Sequence, residues 1–227
     1  MVLDLYAEPE DPRYPQVCFD ESPVQLTSET RHPLPVRPGQ VACYDAEYKR
    51  EGTANLFLFV QPLRGWRHVN VTKQRTKQDF ARQMQLLVDQ HFPTAERIRL
   101  VVDNLNTHTP AALYETFAPV EARRITRKLE FHYTPKHGSW LNMAECELAV
   151  LAGQCLDRRI SNMETLRAEI AAWQGPRNQR QTKIHWQFRT DVARVKLKRL
   201  YPPVEPTENP ARPEEVSEPI KTSASAH

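Results

Sequence analysis

Residues 98–103 read Ile-Arg-Leu-Val-Val-Asp, and the run IRLVVD decides the fold. It is apolar, rich in β-branched residues, too short for a stable helix, and stopped by an acid, which is the pattern of a buried strand. Before it, Thr76–His91 has helical spacing, with Phe80, Met84, Leu87 and Val88 on one face. After it, Thr109-Pro110 reads as a Thr cap with Pro in the first turn of a helix running to about Phe117. A strand flanked by helices arrives and leaves by crossover, so it is expected to lie parallel to the strands it joins.

Working outward, Gln16–Leu26 reads as a strand in which Val17, Cys18 and Phe19 lead to Asp20, which closes it as a central strand. Ala54–Val60 (ANLFLFV) is a second buried strand, Pro62–Gly65 punctuate it, and Trp66–Thr72 alternates as a third. Leu129–Tyr133 is a short fifth. The expected architecture is α/β: a mixed five-stranded sheet with helices on both faces, its first three strands an antiparallel meander. Val2–Tyr6 reads as a short helix or linker, and residues 27–52, with prolines at 33, 35 and 38, as an extended loop or weak hairpin. Leu141–Leu156 is a strongly apolar helix, Met163–Trp173 an amphipathic one and Asp191–Leu200 a basic one. The domain reading is a linker over 1–15, one catalytic domain over 16–201, and a Pro/Glu/Ser tail over 202–227 that lacks any core-forming pattern and is expected to be disordered.

The net charge of +3 hides an asymmetry. Residues 203–227 hold five Glu against one Arg and one Lys, leaving a body of about +6, which suits a polyanionic partner. Cys18, Cys43, Cys146 and Cys155 form no C-x-x-C pair, so buried reduced thiols are expected rather than zinc or disulfides. There is no signal peptide pattern and no apolar run of membrane-span length, so no membrane partner and a cytoplasmic location are expected.

The chemistry sits in carboxylates. Asp20 and Asp103 each end an apolar strand, where an unpaired charge is unfavourable. If the two strand ends are neighbours, the acids repel, and a divalent cation resolves the repulsion. A third acid comes from the Leu141 helix, which carries both Glu145 and Glu147; periodicity does not choose between them.

Three segments, VCFDES, VVDNLNTH and HYTPKHGSWLNMAECEL, occur in this order and resemble the catalytic domain of mariner-superfamily DDE transposases, in particular the bacterial insertion-sequence family six-thirty. The resemblance covers about residues 2–201. It implies a ribonuclease H-like fold and an acidic triad of Asp20, Asp103 and Glu145, the last because the family motif Leu-Asn-x-x-Glu falls on Leu141–Glu145. Glu147 is then structural or supports the site from behind. The triad implies two Mg²⁺ or Mn²⁺ ions, with Asp20 bridging both, cleavage of transposon-end DNA, and transfer of the freed 3′-hydroxyl strand into target DNA at TA sites. It also implies a homodimer and a bacterial, nucleoid-associated setting. Full-length relatives carry an N-terminal helix-turn-helix region that this chain is expected to lack, as a fragment, a truncated copy, or one frame of a split element with a separately encoded helix-turn-helix subunit. Two other readings compete: another ribonuclease H-fold enzyme, such as a retroviral-type integrase or a junction-resolving nuclease, and a non-enzymatic remnant or inhibitory partner of full-length transposase.

Candidate DNA contacts are His108, which could instead orient a carboxylate, and Lys136, His137 and Ser139 as a basic loop feeding a helix N-terminus. Trp140 could stack on a base or pack in the core. Two basic clusters, Arg123, Arg124, Arg127 and Lys128, and Arg194, Lys196, Lys198 and Arg199, could track a DNA backbone. Gly52-Thr53 and Asn55 read as a turn with local bonding by Thr53.

Overall fold

Alternating burial on two faces fixes the sheet. In β1 (Gln16–Glu29), Val17 and Phe19 face one core and Cys18 the other. In β2 (Tyr48–Gln61), Phe57 and Phe59 face the first core, and Leu56, Leu58 and Val60 the second. β3 (Trp66–Thr72), β4 (Ile98–Val102) and β5 (Leu129–Tyr133) complete a five-stranded sheet in the order β3-β2-β1-β4-β5. β1 to β3 form the antiparallel meander, while β4 is parallel to both β1 and β5. The computed structural model describes residues 2–31, 34, 36–41 and 45–196, without the side chain of residue 194.

Both faces are covered, as expected. The Phe19 face packs against α2 (Lys77–Leu86), its π-helical extension Leu87–His91, α3 (Pro110–Thr116) and α4 (Pro119–Lys128). The Cys18 face packs against α5 (Met143–Leu151), the π-helical turn Ala152–Leu156, α6 (Met163–Gln179) and α1 (Val2–Ala7). Val2, Leu3 and Leu5 of α1 are buried, so the first residues belong to the core rather than to a free linker.

Several local expectations change. β1 and β2 extend through much of the stretch expected to be a loop, and Asp20 lies inside β1, opposite Leu58, instead of closing the strand. Pro23 is tolerated because β4 pairs only with Gln16–Cys18, which leaves one side of β1 without a ladder beyond that point. Gly52, at φ +117°, marks a register shift in the β1–β2 ladder, so this motif is a strand irregularity and not a turn. Asn55 donates to the Lys73 carbonyl at 3.2 Å. Thr109 precedes α3 with extended backbone, but its side chain makes no capping bond; Pro at the first turn carries that start. Cys18 and Cys155 are buried, whereas Cys146 is exposed; Cys43 lies outside the described residues. α7 (Thr190–Lys196) realises the start of the basic helix. Lys198, Arg199 and the tail fall outside the described residues. Among the described residues no helix is long and apolar enough to cross a membrane.

Candidate active site

The site is built by the β1–β4 register. Cys18 pairs with Val101. This is the last pair of that ladder; Asp20 lies two residues beyond it within β1, and Asp103 two residues beyond it, just past the end of β4. Adjacent strands are about 4.8 Å apart. Two acids far apart in sequence are thereby brought to one end of the sheet.

The third acid is delivered by a single amide. Asn142 is fully buried; its Nδ2 donates to the Phe19 carbonyl at 2.7 Å and its Oδ1 accepts from the Ala144 amide at 3.1 Å. One side chain therefore caps α5 and ties it to β1 at the residue before Asp20, which sets Glu145 on the first turn of that helix. The Tyr6 hydroxyl donates to the Leu141 carbonyl at 2.9 Å, adding a tie from α1. Burial pushes Asp20 up to about 7. The Glu21 amide, donating at 2.7 Å, opposes the rise, the charges of Asp103 and Glu145 add to it, and the charge of His108 opposes it. All three carboxylates thus share one electrostatic environment.

They do not stand as a closed cluster. Among the described residues no three His, Cys, Asp or Glu side chains converge as an assembled metal site. Asp103 is instead hydrogen-bonded to His108 Nδ1. His108 is fully buried, stacked on Phe80 with ring centroids 4.9 Å apart and edge-on to Phe19 at 5.3 Å. Its Nε2 has no hydrogen-bond partner and sits 3.7 Å from Glu21. Burial pulls its pKa down, but Asp103 and Glu21 outweigh it and hold the imidazole at about 9. His108 therefore cannot touch a phosphate, and its expected DNA contact is withdrawn. The other reading, a histidine that orients a carboxylate, describes what it does.

Glu147 points away from the acids. It is buried and bound by Arg67 Nε at 2.7 Å and by Arg177 Nε and Nη2 at 3.0 and 2.9 Å. Fully buried Arg67 also donates to the carbonyls of Gly65 at 2.8 Å and Thr182 at 2.6 Å. This network joins α5, β3 and α6 and commits Glu147 to the fold. The ion partners, Arg67 and Arg177, gave no sign in the sequence, because nothing local marks a cation that pairs with an acid so far away in the chain.

The basic residues separate in the same way. α4, which the sequence reading did not assign, carries all four residues of the Arg123 cluster. Arg124 is held by Asp89 at 2.8 Å and Glu121 at 2.7 Å, and Lys128 donates to the carbonyls of Pro93 and Ala95 at 2.9 and 2.7 Å. Both side chains already have partners within the protein. Arg123 and Arg127 are exposed with no partner among the described residues. Lys136, His137 and Ser139 are exposed, but the α5 N-terminus that they lead to is already capped by Asn142. Trp140 is 39% exposed and packs edge-on to Phe188 at 5.4 Å, a surface position rather than a core one.

The family model described as DDE superfamily endonuclease matches residues 15–167, which contain Asp20, Asp103, Glu145 and the Asn142 tether. The chain belongs to this family. Solved structures share the fold of this DDE endonuclease. It is similar to "Crystal structure of the Mos1 mariner paired end complex with Mn" (TM-score 0.52, 18% identity, 79% of this chain and 54% of that one). It is also similar to "Crystal structure of the Mos1 Strand Transfer Complex" (0.51, 18%, 77% and 50%) and to "Crystal structure of a pre-cleavage Mos1 transpososome" (0.51, 15%, 82% and 60%). The fold is therefore ribonuclease H-like, as the motifs imply, and the chain spans little more than half the length of these structures. No curated protein matches it.

Proposed function

We propose that the chain is the catalytic domain of a DNA transposase that cleaves transposon-end DNA and joins the freed 3′-hydroxyl strand to target DNA, with Asp20, Asp103 and Glu145 as the catalytic acids. The observation that supports this is that the parallel β1 and β4 carry Asp20 and Asp103 to one end of the sheet, with α5, which bears Glu145, tied to β1 through Asn142, and that the charges of Asp103 and Glu145 both act on Asp20. The residues fit a divalent cation. Asp20 is held near neutrality by burial and by two neighbouring carboxylates, and the donor set is all oxygen. Bound there, Mg²⁺ or Mn²⁺ would neutralise charge on a phosphate and acidify water. The Mos1 paired-end complex, whose fold the chain shares, is described with Mn.

Asp20, Asp103 and Glu145 would hold the cation, which would supply charge for the phosphate and an acidified water. His108, cationic at neutral pH, holds the Asp103 carboxylate in place through Nδ1. The proposal extends, on the motif resemblance, to two ions, TA target sites, a homodimer pairing two DNA ends, and end recognition supplied by a helix-turn-helix region outside residues 1–227.

The test incubates the purified chain with Mn²⁺ and pre-nicked labelled DNA and follows strand joining. Activity that disappears in Asp20→Asn, Asp103→Asn and Glu145→Gln supports the scheme. Joining that survives all three overturns it. Metal affinity, read by calorimetry in the same variants, separates a metal role from a purely structural one.

A further inference from the structure

An open groove of about 590 Å³ lies along the outer edge of β5, lined by Arg97, Tyr114, Arg123, Arg127, Leu129 and Glu130. We propose that it is a second nucleic-acid surface, holding the phosphate backbone of duplex flanking the reacting site.

The argument begins with which arginines are free. On α4 every other long cation is committed: Arg124 to Asp89 and Glu121, Lys128 to two carbonyls. Arg123 and Arg127, one helical turn apart and so on one side of the helix, are exposed and have no partner among the described residues. Beside them the Tyr114 ring is 49% exposed. The one acid in the groove, Glu130, is neutralised by Arg97 at 3.7 Å and meets His132 at 2.8 Å. Three arginines against one glutamate leave a net positive channel with a phenol hydroxyl at its wall. Arginine forks and tyrosine hydroxyls are standard donors to phosphate oxygens, and such contacts position a duplex without reading its sequence.

Location sets the role. Arg97 and Leu129 stand at the start of β4 and β5, whereas Asp103 follows the end of β4. At about 3.3 Å per residue the groove is roughly 17 Å from the acids, or about five base pairs of duplex. That is too far to hold the scissile phosphate and suits flanking DNA.

The inference rests on the nucleic-acid partner of the proposed function but not on its chemistry, so binding is measured in EDTA, where no cleavage is required. Fluorescence anisotropy of a labelled duplex of about 20 base pairs is followed across salt concentrations for the full chain. Arg123→Gln/Arg127→Gln is expected to bind roughly tenfold or more weakly at about 0.1 M salt, with a salt slope shallower by about two. Unchanged affinity and slope would overturn the proposal. So would an equal loss in Arg180→Gln/Lys183→Gln, which removes two exposed cations elsewhere, or displacement of the duplex by polyglutamate as readily as by unlabelled DNA. Asp20→Asn, expected to lose strand joining, is expected to bind as the unsubstituted chain does; that difference separates failure of the groove from failure of the catalytic reading.

Discussion

Glu145 and Glu147 lie two residues apart on α5 and have opposite fates. Glu147 is buried and held by two arginines, one of them fully buried. Glu145 is half-buried, has no cation partner, and shares its surroundings with Asp20. The more deeply buried acid is the structural one. The acid for which the described residues supply no counter-charge, beside others like it, is the one we propose for chemistry. Unmet charge, rather than depth, distinguishes the two.

The largest break expected in this contrast is functional. Glu145→Gln should abolish Mn²⁺-dependent strand joining while leaving the melting temperature in place. If Glu145→Gln melts far lower, Glu145 is structural after all. Glu147→Ala should do the reverse in kind: Arg67 is left buried and uncompensated, so denaturant unfolding should show a loss of about 3–5 kcal/mol. The double variant Glu147→Leu/Arg67→Met should recover most of it, because an apolar pair of similar volume leaves no charge stranded. Failure to recover would mean that the hydrogen bonds from Arg67 to the Gly65 and Thr182 carbonyls matter more than the ion pair.

A third effect concerns pH. Asp20 has a raised native pKa, so the folded chain binds more protons than the unfolded one between about pH 4 and 7. Its contribution to stability is complete below the unfolded pKa and is lost as pH rises through about 7. His108, raised to about 9, acts in the same sense, contributing below about 6.5 and fading as pH rises through 9. Without metal, Asp20 should therefore remove about 4 kcal/mol of stability as pH rises from about 4 to 7, a decline that His91, pulled down to about 4 by burial, opposes between about pH 4 and 6.5. Asp20→Asn should flatten that decline. A pH profile identical to that of the unsubstituted chain would show that Asp20 is not electrostatically strained. The smallest effect is at Asn142. Asn142→Ala leaves the Phe19 carbonyl and Ala144 amide without their partners and should remove about 1–3 kcal/mol. If the tether sets Glu145, metal affinity should weaken too. A stability loss with unchanged metal affinity would reduce Asn142 to a helix cap.

The sheet was legible because its signals are local. ANLFLFV and IRLVVD are continuous apolar runs, and crossover handedness leaves few ways to order them. Where the reading failed, the deciding partner was distant in sequence. The extension of β1 to Glu29 depends on pairing with Tyr48–Arg50, which the intervening prolines obscure. α4 was missed because its apolar face is only Ala122 and Ile125, and its arginines dominate the pattern. His108 looked like a surface residue at a helix start, since nothing nearby announces that Phe19 and Phe80 enclose it. At the site, the two aspartates were readable from apolar runs that end in an acid, and the motif over Leu141–Glu145 chose Glu145 over Glu147 where periodicity could not; what stayed hidden was the pair of distant cations, Arg67 and Arg177, that holds Glu147.

The two strand-borne acids are mounted differently. Asp20 is fixed within the β1–β2 ladder, opposite Leu58, whereas Asp103 is the first residue past β4 and belongs to no ladder. The pair works like a caliper with one fixed jaw and one sliding jaw. On the proposed reading, a change in the gap as phosphate enters and leaves would fall to Asp103, whose shift breaks no hydrogen bond of the sheet ladders.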